Sequence, residues 1–482
     1  MTTAPTPAQA GASTAARLTR AALWAILGVV LLADALDLVD STVTTIAAPT
    51  IATDLGGGAS FVSWLGASYA LAMGTLLVLG GRLGDKYGQR RLFLIGMAGF
   101  TLASAACGFA LDPAMLLVSR AVQGAFGALL LPQGMAIIAR TFPRDMMKKA
   151  FNLFGPLLGI AAVGGPVLAG FIISADLWDL SWRPVFLINL VLGTVGIVLA
   201  ARLLPKDSGD RSIVIDGVGS GLLGLAMFGI LFGLVEGADA GWSVLAVVAI
   251  VVGLVALGLF ARRQATVANP LLRPSLFRNK GFVAGILTGL AFFAVTSGLT
   301  FVISLFLQQG LGLAPRATAL AILPLTLGIM VAAGAGMGLG DRLGRNLVLI
   351  GVALTFVGAA WMFLLVRADG VDLTVWQLVP AVFVVGLGMG AGYGTIFDFA
   401  LGDLSPEEAG SASGTMTAIQ QIATGIGSAI VTTVFFQAVD GGFAHAMTLT
   451  LGVVMAIVAA CVPVVFLLPK VAHADDHGMP AE

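Results

Sequence analysis

The sequence predicts an all-α integral membrane protein of fourteen transmembrane helices: two six-helix bundles with two further helices inserted between them. Composition is the first reason. Of 482 residues, 58% are hydrophobic and 10% charged, with a mean hydropathy of +1.01, and so apolar a chain lacks the polar surface that water requires. The second is length, because the apolar residues gather into stretches of about 20, the number a helix needs to cross a bilayer. The third is a repeat. Gly81-Arg82-Leu83-Gly84-Asp85-Lys86-Tyr87-Gly88-Gln89-Arg90-Arg91 joins two such stretches, and Leu339-Gly340-Asp341-Arg342-Leu343-Gly344-Arg345 echoes it in the second half.

Residues 1–21, rich in Ala, Thr and Pro, read as a disordered cytoplasmic tail. Spans 1 to 6 follow at 22–52, 60–81, 92–111, 115–139, 150–173 and 185–204, and make an N-terminal bundle over 22–204. The first run is too long and too acidic for a signal peptide. Because the repeated turn joins spans 2 and 3 and then spans 10 and 11, helices 1 to 6 are expected to recur as helices 9 to 14. Those lie at 282–309, 317–339, 347–366, 376–400, 412–437 and 446–468, a C-terminal bundle over 282–468. Spans 7 and 8, at 217–236 and 243–262, are then the insert, and 469–482 is a second cytoplasmic tail.

Placing both termini in the cytoplasm leaves only Arg183, Arg316 and Arg367 outside and buries Arg120, the asymmetry of a multi-pass protein of the bacterial cytoplasmic (inner, plasma) membrane. With 25 basic and 25 acidic residues the chain is neutral and carries no nucleic-acid footprint. Cys107 and Cys461 lie in apolar runs and make neither a disulfide framework nor a metal site. His473 and His477 flank Asp475 and Asp476 in a polar tail, where no metal is expected. There is no Walker A sequence and no nucleophile, base or metal constellation of an enzyme, so neither a cofactor nor direct use of ATP is expected. The bilayer is the one partner that composition itself implies, and the protein is expected to be a monomer.

The segment from Gly81 to Arg91 resembles motif A of the major facilitator superfamily. Asp40-Ser41-Thr42-Val43 with Ala47-Ala48-Pro49 is similar to the first-helix motif of its fourteen-helix drug:proton antiporter branch, although Thr45 stands where Asn is usual. Arg120-Ala121-Val122-Gln123-Gly124 resembles motif B, and Gly159 to Gly170, with Gly165-Pro166 inside it, resembles the antiporter motif C. Trp182-Arg183 with Phe186, Ile188 and Asn189 matches the start of span 6, with Pro184 where an aromatic is common. The second half matches through Asp341, Gly344 and the Ala409-Gly410 to Gly414 entry into span 13. The resemblance implies a proton-coupled antiporter that exports lipophilic, cationic or amphipathic drugs by alternating access. A carrier of one specific metabolite is the alternative, and a non-transporting membrane sensor a more distant one.

The polar residues within the spans point the same way. Asp34, Asp37, Asp40, Ser41, Thr44 and Thr45 fall within an arc of roughly 140° on span 1. A carboxylate facing lipid costs about 2.5–3.5 kcal/mol, so this stripe is expected to look into a cavity between the bundles. Asp37 and Asp40, about 5–6 Å apart at their Cβ atoms, can hold and hand over a proton, or else serve as hydrogen-bonded structural groups. Arg120 is the one base within the spans and needs a carboxylate or carbonyl partner, with Asp40 apparently deeper in the membrane, so that pairing requires an inward reach. The resemblance associates it with proton transfer, and a purely structural ion pair is the other reading. Asp398, near the cytoplasmic end of span 12, is either a second cation or proton site or a helix-end residue at the interface.

In motif A, Gly81, Gly84 and Gly88 permit a tight turn and close helix approach, while Asp85 can accept from a neighbouring helix N-terminus and pair with nearby Arg or Lys; a solvated basic loop would explain Lys86, Arg90 and Arg91 but not the glycines or Asp85. In motif C, Gly159, Gly165 and Gly170 let helices approach closely, and Pro166 bends span 5.

Overall fold

The computed structural model describes residues 19–143, 146, 164–240, 242–267, 270–272, 274–401 and 406–470. The tail up to residue 18, the first part of span 5 with Gly159, and 471–482 with both tail histidines lie outside the described residues. Thirteen of the described helices are long and apolar enough to cross a membrane. They are α1 (Arg20–Leu55), α2 (Ala59–Tyr87), α3 (Gln89–Gly108), α4 (Pro113–Thr141), α6 (Pro184–Leu203), α7 (Gly217–Ala240), α8 (Val244–Thr266), α9 (Lys280–Leu305), α10 (Pro315–Leu343), α11 (Arg345–Asp369), α12 (Val375–Leu401), α13 (Pro406–Ala438) and α14 (Phe443–Val465). The segment Gly164–Ala175, α5, stands where the fifth span is expected.

Local chemistry sets the helix ends. Thr19, Asp112, Ser243 and Asn279 each accept a hydrogen bond from a first-turn amide of α1, α4, α8 and α9, respectively, meeting donors that have no partner inside the helix. The motif A segment is not the loop that the sequence suggests. α2 runs through Gly81, Gly84 and Asp85 to Tyr87, and the turn is one residue, Gly88 at φ +98°. Its counterpart Gly344, at φ +50°, alone separates α10 from α11. Only glycine takes such a backbone without strain, so each motif is a helix end and a single-residue corner.

Packing repeats with the sequence. In the first bundle α4 lies against α2 and α3, and α6 against α1 and α3; eight helices later α12 lies against α10 and α11, and α14 against α9 and α11. The bundles meet along α2 and α13. The inserted α7 and α8 pack on each other as a hairpin, and α7 also contacts both α2 and α13, so the hairpin lies over the seam where the bundles meet. Leu223, Met227 and Leu231 of α7 share one apolar cluster with Leu71, Met73 and Leu77 of α2, with Ile422 and Ile426 of α13 against it.

The largest apolar cluster runs the length of the second bundle, from Leu276, Phe282 and Leu468 to Leu307, and takes in Val43 to Ala52 of α1 at the end away from the termini. The half of the first bundle nearer the termini has a cluster of its own, from Leu23 to Leu36 with Phe93, Met97 and Ile137.

Candidate functional site

A polar centre lies inside the first bundle. Arg120 of α4 forms an ion pair with Asp40 of α1, and both side chains are 1% exposed. The long guanidinium stem makes the inward reach that the sequence requires of it. Asp40 Oδ1 also accepts from Gln123 Nε2 at 2.8 Å and from Asn189 Nδ2 of α6 at 2.7 Å. Gln123 Oε1 takes a further Arg120 hydrogen at 2.7 Å. Both amides donate to Ser104 Oγ of α3, at 3.1 and 2.9 Å, and Ser104 donates onward to the Phe186 carbonyl. Four helices therefore meet in one network, with α4 and α6 donating to the Asp40 carboxylate of α1 and α3 holding the two amides. A buried ion pair is costly unless its remaining donors and acceptors are met; this network meets those of Asp40, while the buried Arg120 Nε is left without a partner.

Asp37, one turn away, accepts from the hydroxyl of Tyr69 on α2. The Arg120 guanidinium lies over that tyrosine's ring, 4.3 Å from its centroid. Asp34, half-buried, is one turn nearer the terminal end of α1. Asp398 is exposed on α12 of the other bundle, away from this cluster.

Beside the cluster, at the middle of the helices, is a narrow cleft of about 90 Å³, smaller than the roughly 300–1,000 Å³ of a small-molecule site. Ser41, Thr44 and Thr45 of α1, Tyr69 of α2 and Arg120 line it from the first bundle; Ser297, Phe301, Gln421, Thr424 and Ser428 line it from the second. The expectation that the whole polar stripe of α1 faces this space is corrected. The hydroxyls do, whereas Asp37 and Asp40 point into the first bundle, where Tyr69, Gln123 and Asn189 offer donors. The angular argument found the stripe but could not divide it, because Thr44, which lines the cleft, falls between Asp40 and Asp37 around the helix.

The glycines of motif C seat α5 against two partners. A Cβ on Gly165 would collide with the Thr42 side chain of α1, and one on Gly170 would come within 2.6 Å of Ala319 Cβ and 2.8 Å of the Pro315 carbonyl of α10. α5 thus touches both bundles at the end away from the termini. There Arg316 N donates to Ser174 Oγ at 3.2 Å, Ser304 Oγ to the Thr45 carbonyl at 2.8 Å, and Gln308 Nε2 to the Ile46 carbonyl at 3.2 Å. Gln308 belongs to a π-helical turn, Phe306–Gly310, that ends α9 and aims the amide at α1.

Motif A is held on both sides. A Cβ on Gly84 would collide with Gln133 of α4, which donates to the Gly80 carbonyl at 2.8 Å. Asp85 pairs with Arg140 of α4 at 3.6 Å, a partly exposed contact. The helix N-terminus at this corner is capped by Asp207 from the α6–α7 linker, which accepts from Gln89 N at 2.5 Å and Arg90 N at 3.1 Å. Arg90 donates to the Ala201 carbonyl at 2.5 Å, and the amide of Asp210 to the Asp85 carbonyl at 2.8 Å.

Sequence reasoning missed Tyr69, Ser104, Gln421 and Asp207. A signal existed for Tyr69, one of only 3 tyrosines in the chain and placed mid-span. The others become legible only when the helices are assembled.

The family model described as Major Facilitator Superfamily matches residues 30–428. A Streptomyces coelicolor protein named "Probable actinorhodin transporter" is 41% identical over 440 residues, 88% of this chain and 76% of its own. The "Puromycin resistance protein pur8" of Streptomyces alboniger is 35% identical over 424 residues, 85% of this chain and 81% of its own. The "Multidrug efflux pump LfrA" of Mycolicibacterium smegmatis is 30% identical over 413 residues, 86% and 81% of the two chains. Among solved structures, a POT family transporter in complex with 5-aminolevulinic acid superposes with a TM-score of 0.67 at 13% identity, over 91% of this chain and 95% of that one, a likeness of fold. The chain belongs to the major facilitator superfamily and is a membrane transporter.

Proposed function

We propose that the protein is a proton-coupled antiporter that exports lipophilic, cationic or amphipathic antibiotics or toxic metabolites from the bacterial cytoplasm across the inner membrane. One observation carries this reading: a mid-depth cleft between two bundles adjoins a buried carboxylate–guanidinium cluster, so substrate and titratable groups share one wall. The printed names of the relatives, exporters and resistance proteins for antibiotics, support the substrate class.

In this reading both termini are cytoplasmic, the joined end is the outer one, and the chain works as a monomer. The segments 22–204 and 282–468 rock as bundles, with 217–262 as a hairpin over their seam. The bonds of Ser304, Gln308 and Arg316 close the outer side and break when the cleft opens outward. Motif A, with Asp85 and the Gly84 contact, latches the cytoplasmic side. Asp37, Asp40 and Arg120 exchange the proton, and Asp34 and Asp398 act nearer the cytoplasm. The membrane potential contributes about 2.3 kcal/mol per 100 mV for each net charge moved, enough for one proton to sustain a useful gradient.

The test is ΔpH-driven accumulation of ethidium in inverted vesicles, compared with vesicles lacking the protein. Accumulation that a protonophore collapses, and that Asp37→Asn or Asp40→Asn abolishes, supports the reading. Accumulation indifferent to the protonophore refutes proton coupling, and none with any lipophilic cation favours a carrier of one metabolite.

A further inference from the structure

We propose that the hydroxyl of Tyr69 is the proton-passing link between the cleft and Asp37. The inference rests on the proton-coupled reading above and adds the route by which the proton reaches its acid. Asp37 is 8% exposed and is not among the residues that line the cleft, whereas Tyr69, 2% exposed, is. Tyr69 is thus a wall residue of the cleft that also touches the carboxylate, its hydroxyl donating to Asp37 Oδ1.

The surroundings are shaped for that bond. A Cβ on Gly127 of α4 would lie 3.2 Å from both Asp37 Oδ1 and the Tyr69 hydroxyl oxygen, tighter than ordinary contact, so glycine leaves room for the pair. A Cβ on Gly124, one turn earlier, would collide with the Tyr69 carbonyl, so the same helix face brings α2 close enough for the phenol to reach α1. Arg120 over the ring face fixes the ring's orientation without using the hydroxyl. The charged groups around the pair are Asp34 and Asp40 on α1 and Arg120 on α4. From α3 comes the Cys107 thiol beside Gln123, from α13 the neutral Gln421, and from α7 the apolar Leu223, Met227 and Leu231.

A hydroxyl donates one hydrogen and keeps lone pairs to accept another. A hydronium in the cleft gives its proton to the phenol oxygen as the phenol's own hydrogen passes to Asp37. One O–H bond forms and one breaks at Tyr69, one forms at the carboxylate, and a water remains in the cleft. The phenol is neutral before and after, and rotation about its C–O bond resets it. Release runs the same steps backwards. The ring alone cannot do this, which sets Tyr69→Phe apart from a packing change: it keeps the volume, the Arg120 contact and the wall of the cleft, and removes only the hydroxyl.

The experiment is a stopped-flow pH jump on the purified full-length protein in detergent, following the infrared carboxyl stretch that Asp37→Asn removes. In wild type the Asp37 band is expected to follow the jump promptly; in Tyr69→Phe it rises about a hundredfold more slowly, the scale of a positioned proton-transfer group. Gly127→Ala, which keeps the hydroxyl but crowds its bond, slows the band as well and serves if Tyr69→Phe is poorly folded. An unchanged rate in a folded Tyr69→Phe variant, or a wild type with no Asp37 band at any pH, overturns the proposal. Failure of the parent reading shows separately, as wild-type vesicles whose transport ignores a protonophore.

Discussion

Ser304 of α9 donates its hydroxyl to the carbonyl of Thr45 on α1 at 2.8 Å, and Pro49 is the reason that carbonyl is available. Inside a helix the Thr45 carbonyl would accept from the amide four residues on, but proline has none. The other bundle supplies the donor. A proline that costs α1 one internal hydrogen bond thus creates a polar contact between the halves of the molecule.

Removing that donor with Ser304→Ala leaves a buried carbonyl unmet, at about 1–3 kcal/mol. That shifts the closed–open balance of this end by about 5- to 160-fold. Cysteines at Ser174 and Arg316 read it out, since native Cys107 and Cys461 are buried. Their cross-linking yield should fall in Ser304→Ala and recover in Ser304→Thr.

Gly170→Val acts at the same end by volume. Added carbons meet Ala319 and the Pro315 carbonyl, backbone and side chain that cannot both retreat. Overpacking of this kind costs about 1–3 kcal/mol. The same cross-link should be lost and vesicle transport should fall, with the amount of protein in the membrane unchanged.

Asp40→Ala strands the Arg120 charge among buried groups, and breaking a buried pair from one side costs about 3–5 kcal/mol. A lower thermal midpoint in detergent is expected. The double variant Asp40→Ala/Arg120→Leu, which leaves no lone charge, should regain part of the midpoint but not transport.

Asp207→Ala uncaps α3, a loss of about 0.5–2 kcal/mol. Hydrogen exchange at Gln89 and Arg90 should quicken while the core of α3 stays protected. Asp207→Asn, which still accepts, should keep most of that protection.

Asp216, just ahead of α7, gives a pH-dependent case. Burial pushes its carboxyl up, but the Gly219 amide, Arg263 at 2.8 Å and Gln264 outweigh burial and hold it below the usual carboxylate range. A depressed value means that the tie between α7 and α8 is fully present above the unfolded value of about 3.9 and is lost as pH falls through the lower folded one. Exchange protection at the Asp216 end of the hairpin should hold at neutral pH and fade in acid. In Asp216→Asn it should be reduced throughout.

The fold was legible because both of its signals are local. Apolar length marks spans, and the Gly84-Asp85 and Gly340-Asp341 copies fix the eight-helix offset that the packing repeats. The site was legible in part. Asp40 and Arg120 stood out as charges in apolar surroundings, and Gln123 and Asn189 lay inside the quoted motifs. Which way each side chain turns was not legible. Asp40 and Ser41 are neighbours in sequence, yet one enters a buried network and the other lines the cleft, a difference set by α4 and α6 rather than by α1. Asp207 was out of reach for a related reason: a polar residue in a linker shows no partner until the corner at Gly88 is built beside it.

The linker that carries the hairpin is also the cap of α3, and that constrains how such a chain can be shortened or spliced. Deleting everything between α6 and α9 would remove Asp207 and Asp210 together with the two inserted helices, and would strip the first bundle of contacts it uses at its own corner. A working twelve-helix derivative has to be cut after Asp210, keeping the linker's first residues with the bundle they serve. The contacts of Asp207 and Asp210 tie the linker's first residues to the first bundle, several residues beyond the last turn of α6.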